Sequence, residues 1–317
     1  NDLWIVPTAG GAPPRQLTHT RAGESDPAWS PDSRRIAFST KREGDDQPQI
    51  YVLDLQDGGE ARRISTLSTG ASHPQWRPDG QAILFETSVY PGATDDEANR
   101  RIAAERKALK YNLRVYEHYP IRYWNEWLDD RQPTVIVQGL APGDAPRDIL
   151  AGTRLAASPG FSGVQGETSV SLSPVWSPDG SEVVFAATTG RWTAVYANVG
   201  YQIYRTAAAG GIEPRPVGPE VGDYDQLTFS PDGKWLYATY APQDGEIYHL
   251  PRLVRIPWPG GGSLAQVTRE AKAGRDLQLP PAGAALHARL VGRGVEPTLA
   301  EGLVRSALSS VPPEPAR

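Results

Sequence analysis

Apolar residues in this chain come in short runs of strand length, separated by turns rich in proline, aspartate and glycine. Val175-Trp176 ends one run, Ser177-Pro178-Asp179-Gly180 follows, and Val183-Val184-Phe185 begins the next. Proline presets φ at the first turn position, aspartate bonds back to the turn backbone, and glycine accepts positive φ. Two apolar runs across such a turn predict a β-hairpin. The hairpin recurs as Trp29-Ser30-Pro31-Asp32-Ser33 before Ile36-Ala37-Phe38, as Trp76-Arg77-Pro78-Asp79-Gly80 before Ile83-Leu84-Phe85, and as Phe229-Ser230-Pro231-Asp232-Gly233 before Leu236-Tyr237. A worn copy, Leu279-Pro280-Pro281-Ala282-Gly283, precedes Leu286. The turn prolines at 31, 78, 178, 231 and 281 are separated by steps of 47, 100, 53 and 50. A hairpin repeat of about fifty residues is the signature of a β-propeller.

A second hairpin lies inside each repeat. Ile50-Tyr51-Val52-Leu53 is followed by a Gly58-Gly59 turn and by Arg63-Ile64-Ser65; Gln202-Ile203-Tyr204-Arg205 is followed by Gly210-Gly211 and Pro216-Val217. Related units stand at 3–18, 135–150 and 253–268. Two hairpins make four strands, and four strands make one blade. The expected architecture is therefore all-β, an incomplete propeller with about five to six blades visible. Residues 1–18 form a half blade, and 26–66, 73–150, 172–218 and 226–268 form blades. Residues 276–317 form a degenerate partial blade, expected to be weakly ordered. Trp29, Trp76, Trp176 and Phe229 hold equivalent places and are expected to be core residues, because stacked sheets need both faces covered.

The step of 100 marks an insertion at about 89–132. Its first part, Asp95 to Leu109, reads as a helix with an acidic start, and places Ile102, Arg106, Leu109 and Leu113 on one side. Its second part, Tyr111 to Asp130, is dense in aromatic and charged residues. Long propeller insertions gather on one face and often carry function.

Composition narrows the classes. The chain has 317 residues, 39% hydrophobic and 22% charged, with 32 glycines and 30 prolines, which suits a protein made of turns. A net charge of −5 without a basic block argues against a nucleic-acid partner. No apolar run approaches the ~18 residues of a membrane-spanning helix, so no membrane partner is expected. Cysteine is absent, which excludes disulfides and thiolate metal sites and leaves cytoplasm and periplasm equally open. Methionine is absent as well and Asn1 falls inside a strand pattern, so a fragment or processed chain is expected. The five histidines lack metal-ligand spacing. His73 reads as a turn histidine, and Glu43, Asp45 and Asp46 read as a solvated loop tip. No metal and no cofactor are expected.

The repeat Trp-Ser-Pro-Asp-Gly with its apolar strand, followed by Gly-Gly and Arg-x-Leu-Thr, resembles the TolB-type propeller. The insertion ending Arg122-Tyr123-Trp124-Asn125-Glu126-Trp127-Leu128-Asp129-Asp130 is similar to that in prolyl oligopeptidase-family serine peptidases of the acylaminoacyl peptidase type, and Leu253 to Gly262 agrees with them. The resemblance spans about residues 1–270. It implies a propeller that covers the mouth of an α/β-hydrolase domain and admits peptides. In that family the catalytic Ser, Asp and His lie in the hydrolase domain. No Gly-x-Ser-x-Gly elbow occurs in this sequence, since Gly70-Ala71-Ser72-His73-Pro74 and Gly160-Phe161-Ser162-Gly163-Val164 both fail at the last place. The expected function is thus the non-catalytic propeller part of a dipeptidyl or acylaminoacyl type peptidase. Its partners would be a peptide and a hydrolase domain of the same parent protein. The alternative is a stand-alone TolB-like scaffold that binds a protein or small ligand. The resemblance points to Arg122, Trp124, Glu126 and Trp127 as substrate-binding residues, with Glu126 and Arg122 suited to a peptide's charged ends. Against this stands the plainer arrangement, in which the insertion packs its aromatics on the propeller and pairs its own charges.

Overall fold

A computed structural model describes residues 1–267 apart from 57, 112–114, 117, 119, 124–125, 129, 166–169, 195–196, 245–248 and 261–263. These residues form one unit, Asn1–Val267; the expected partial blade at 276–317 lies outside them, as does Leu113. In chain order the strands are β1 (Trp4–Ile5), β2 (Arg15–Gln16), β3 (Glu24–Trp29), β4 (Arg35–Thr40), β5 (Gln49–Asp54), β6 (Arg62–Arg63), β7 (Ser72–Trp76) and β8 (Ala82–Val89). Helix α1 (Asp96–Lys107) follows, then β9 (Arg122–Tyr123), β10 (Glu126–Trp127), β11 (Gln132–Gly139), β12 (Arg147–Asp148) and the short α2 (Arg154–Ala157). The rest are β13 (Val164–Gln165), β14 (Val170–Ser171), β15 (Val175–Trp176), β16 (Glu182–Ala187), β17 (Tyr201–Ala207), β18 (Arg215–Phe229), β19 (Trp235–Pro242), β20 (Arg252–Pro257) and β21 (Ala265–Gln266).

The architecture is all-β, an unclosed propeller. Strands β3-β4-β5-β6 form one antiparallel four-stranded blade and β7-β8-β11-β12 a second. Strands β15 to β21 follow in sequential order as a seven-stranded sheet that carries two further repeats. Their junction is β18, whose Gly222 pairs with Tyr201 of β17 and with Pro242 of β19. A Cβ at Gly222 would collide with the ring of Tyr240, so only glycine fits this crossing.

The blades stack face to face, which explains why their second strands are apolar without alternation. Successive strand residues point to opposite faces. In β8, Ile83 and Phe85 pack toward Ile50, Val52 and Trp76, while Leu84 packs the other way toward Trp176, Val183 and Phe185. In β16, Val183 and Phe185 face that second core, and Val184 and Ala186 face Leu236, Ala238 and Val254. Burial on both faces makes the middle of each strand apolar at every position, and polar residues enter only toward the strand end, as Glu86 and Thr87 do in β8.

The recurring turn is held by its own side chains. Ser177 Oγ donates to Asp179 Oδ1 at 2.6 Å and accepts from Glu182 N at 2.9 Å, and Asp179 also accepts from Ser181 N at 3.1 Å. Ser230 and Asp232 repeat this, with Ser230 Oγ donating to Asp232 at 2.6 Å and accepting from Trp235 N at 3.0 Å. Where Arg77 replaces the serine, its Nε donates to Asp79 Oδ1 at 2.8 Å. The fourth turn position is left-handed in each of the four described copies, at Ser33, Gly80, Gly180 and Gly233.

The predicted helix forms where the sequence placed it, within one residue at its start and two at its end. Asp95 caps it by accepting from Ala98 N at 2.7 Å, and the acidic first turn suits the positive helix end. Its buried side is Ala98 and Asn99, not the expected face: Ile102 is half-buried and Leu109 exposed. The reason is polar anchoring. Asn99 Oδ1 accepts from Tyr90 N at 2.9 Å, Asp96 accepts from Ser68 N and Oγ at 2.8 and 2.6 Å, and Arg106 forms a two-pronged pair with Asp130 at 2.6 Å. A second correction concerns Asp45, which is buried rather than solvated. It accepts from Tyr51 Oη at 2.7 Å and pairs with Arg63 at 2.6 Å, bonds that pull its carboxyl pKa below the ordinary range against the cost of burial. A third is Trp29, which is 49% exposed while Trp76 and Trp176 are buried.

Candidate functional site

The first strand of each repeat carries a bulge that the sequence reading missed. Asp26, His73, Ser173 and Gln226 each stand three residues before the aromatic, and each has positive φ, from 47° to 55°. Register shifts mark the same place in β3, β7 and β18. A left-handed non-glycine residue costs about 1–2 kcal/mol and is kept where surrounding structure holds it. Each bulge re-aims one polar side chain off the ladder. A signal was present: Asp26-Pro27, His73-Pro74 and Ser173-Pro174 repeat a polar residue before proline at a fixed offset, although Gln226 precedes leucine.

At the bulges a polar chain crosses three repeats. His73 N donates to Asp26 Oδ2 at 3.2 Å, and the His73 ring lies 3.9 Å from Asp26 Oδ1 and 3.5 Å from Glu86 Oε2. Glu86 is buried and accepts from Ser171 Oγ at 2.7 Å and Leu172 N at 2.6 Å. Burial raises its carboxyl pKa, only partly opposed by those bonds. His73 is thus more than a turn residue, since it links neighbouring blades.

This chain forms part of the floor of a cavity of about 760 Å³, a size usual for small-molecule and peptide pockets. Hydroxyls line the floor, and those of Ser39, Thr40 and Thr87 direct their protons to backbone carbonyls. Ser39 Oγ donates to Ala71 O at 2.8 Å, Thr40 Oγ1 to Gly23 O at 3.1 Å and Thr87 Oγ1 to Gly70 O at 2.6 Å. Thr87 Oγ1 also lies 2.9 Å from Thr69 Oγ1, so these hydroxyls are tied to the strand ends around them. Lys41, Arg131 and Arg191 bring positive charge to the lining.

The insertion supplies one wall, through Trp127, Leu128 and Arg131. It is fastened at both sides. Beyond the Ser68–Asp96 anchor, His118 stacks on Trp192 with ring centres 3.6 Å apart, beside Arg191. Of the residues that sequence resemblance singled out, Trp127 lines the cavity, is 57% exposed and sits 6.2 Å from the Tyr116 ring. Arg122 is exposed and pairs in the β9–β10 ladder opposite Trp127. Glu126 is in β10 opposite Tyr123, its side chain not described, and Trp124 lies outside the described residues. Among the described residues no cluster of three metal-ligating side chains occurs, and no helix is long and apolar enough to cross a membrane.

Residues 1–97 match the TolB beta propeller domain. Over 59 residues, 18% of the chain, the sequence is 41% identical to the uncharacterized peptidase YuxL of Bacillus subtilis, and the match spans 8% of that protein. Among solved structures the chain is similar to TolB from Acinetobacter baumannii, at 20% identity and a TM-score of 0.46, covering 84% of this chain and 48% of that one. It is also similar to the acylaminoacyl peptidase of Pyrococcus horikoshii, at 14% identity and a TM-score of 0.48, covering 82% of this chain and 33% of that one. The chain thus spans half or less of the proteins named here.

Proposed function

We propose that this chain is the propeller portion of a prolyl oligopeptidase-family serine peptidase and forms part of the wall past which peptides reach a hydrolase domain. The observation that carries this reading is the placement of the insertion: Trp127, Leu128 and Arg131 stand over a cavity built from the bulged strand ends of two blades. An exposed indole beside a polar floor suits an extended peptide, whose side chains need apolar contact and whose backbone needs polar partners. Arg122, Trp124 and Glu126 are proposed as further contacts from the same hairpin. The peptidase match over 59 residues agrees with the reading. Bond cleavage is assigned to the hydrolase domain.

The test is direct. Purified chain is expected to bind a short unstructured peptide with a change in tryptophan fluorescence, to lose at least tenfold in affinity as Trp127→Ala, and to release no product from a peptide nitroanilide. Absence of binding, or product release stopped by a serine-directed inhibitor, would overturn it. The TolB domain match over residues 1–97 favours a second reading, a scaffold that binds a folded protein. Binding of a folded partner undiminished by Trp127→Ala would favour that one.

A further inference from the structure

The first blade leaves one of its faces half covered. Trp29 stands opposite Ile36 in the β3–β4 ladder, so the two side chains share a face. Leu3 and Leu17 of the β1–β2 hairpin pack over Ile36, which is buried, and leave Trp29 exposed. The later blades show what belongs over such an aromatic. Trp76 packs with Ala28 and Ala37, from the first two strands of the blade before it, and its Nε1 donates to Ala28 O at 3.0 Å. Trp176 packs with Leu84 of β8, and its Nε1 donates to Gln75 O of β7 at 3.2 Å. The cover is twice the same object, a hairpin whose first strand offers a carbonyl to the indole and whose second strand offers an apolar side chain. Trp29 has neither, and among the described residues its Nε1 has no acceptor. The sheet that would carry such a hairpin is present in part. In the repeat, β1 and β2 hold the places of β5 and β6. The inner edge of β5 pairs with β4, whereas among the described residues β1 pairs with β2 alone. By that equivalence the free edge of β1 faces the side where β3 carries Trp29. A free strand edge next to an uncovered indole is a template for strand addition.

We infer that Trp29 and the free edge of β1 form a docking site for an antiparallel β-hairpin carried by a polypeptide other than this chain. The second strand of the guest pairs with β1, and its first strand sets a carbonyl against Trp29 Nε1. The two-stranded β1–β2 sheet then becomes four-stranded, as are the two blades that follow it. Burial of the indole supplies the apolar contact, and the added ladder supplies the register. Trp29 does not line the cavity, so the inference goes beyond the peptide-wall reading and does not depend on it.

The probe is a fluorescein-labelled copy of residues 72–86, the hairpin that already covers Trp176. It is closed head to tail through two glycines, because Ser72 and Glu86 are paired in the β7–β8 ladder and closure lowers the cost of ordering. Anisotropy is expected to show binding to the purified chain, and none by a cyclic peptide of the same composition in scrambled order. Trp29→Ala is expected to weaken the hairpin at least tenfold, and Trp29→Phe, which keeps a ring and loses the donor, to fall between. Melting curves of both variants are expected to match that of the parent chain, because the residue is exposed; should Trp29→Ala melt early, Trp29→Phe carries the comparison. Trp127→Ala is expected to leave hairpin binding unchanged. No binding, equal binding of the scrambled peptide, or an equal loss in Trp29→Ala and Trp127→Ala would overturn the proposal. So would concentration-dependent dimerisation in sedimentation that Trp29→Ala removes, which would give the face to a second copy of this chain.

Discussion

Trp29 and Trp176 occupy the same place in two copies of one motif, and their surroundings differ completely. Trp176 is 7% exposed and its Nε1 donates to Gln75 O of the preceding blade at 3.2 Å; Trp76 does the same to Ala28 O at 3.0 Å. Trp29 is 49% exposed. The hairpin β1–β2 reaches the first blade through Leu3 and Leu17, which cover Ile36, Phe38, Tyr51 and Leu53 in β4 and β5, beyond the end of β3. The motif therefore fixes where an aromatic stands on its strand. The neighbouring sheet decides whether that aromatic is core.

The largest expected effect tests this contrast. Trp176→Ala removes a buried indole from between two blades and is expected to cost about 3–5 kcal/mol. Trp29→Ala is expected to cost about 0.5 kcal/mol or less, as a surface change does. Denaturant unfolding of both variants gives the comparison, and equal losses would break it. A smaller effect tests the local half of the argument. Ser177→Ala removes the hydroxyl that both donates to Asp179 and accepts from Glu182 N, for about 1 kcal/mol. Arg77→Ser restores that pattern in the one described copy lacking it and is expected to be neutral or stabilising. A loss as large as that of Ser177→Ala would show that the turns are not interchangeable.

Two aspartates sharpen the same distinction through pH. Asp179 is held below the ordinary carboxylate range by its bonds to Ser177 and Ser181, all within one turn. Asp148 is shifted up, because burial outweighs its bonds to Thr134 Oγ1, Leu150 N and Ala151 N. A raised carboxyl pKa means that the fold disfavours the charged form. The destabilisation is absent below the unfolded value, near 3.8, and grows as pH rises above it. Asp148→Asn keeps an acceptor oxygen and removes the charge, so a higher melting temperature is expected at pH 7 and little change at pH 3. The smallest of these effects, it is read as the difference between two melts; an equal gain at both values would assign it to something other than charge.

Much of the fold was legible in the sequence because it is local and repeated. The Ser-Pro-Asp-Gly turns close through bonds between residues at most five apart, and Asp95 caps its helix three residues on. The candidate site was less legible. Trp127 was singled out from the insertion, whereas Glu86, Lys41 and Arg191 carry no motif and read as ordinary strand-end or loop residues. The bulge at Asp26, His73 and Ser173 left a trace, a polar residue before proline, that has meaning only once the strands are paired.

What the residues determined alone is the unit: an apolar run, a self-bonded turn, a second run and an aromatic at a set offset. These follow from torsional preferences and from hydrogen bonds that close within a few residues. Only the tertiary structure decided which aromatics are core, that β18 runs on from one repeat into the next, and that residues of the first two blades and of the insertion line one cavity. Those outcomes depend on which faces stack, and stacking joins residues tens of positions apart whose proximity no local pattern records.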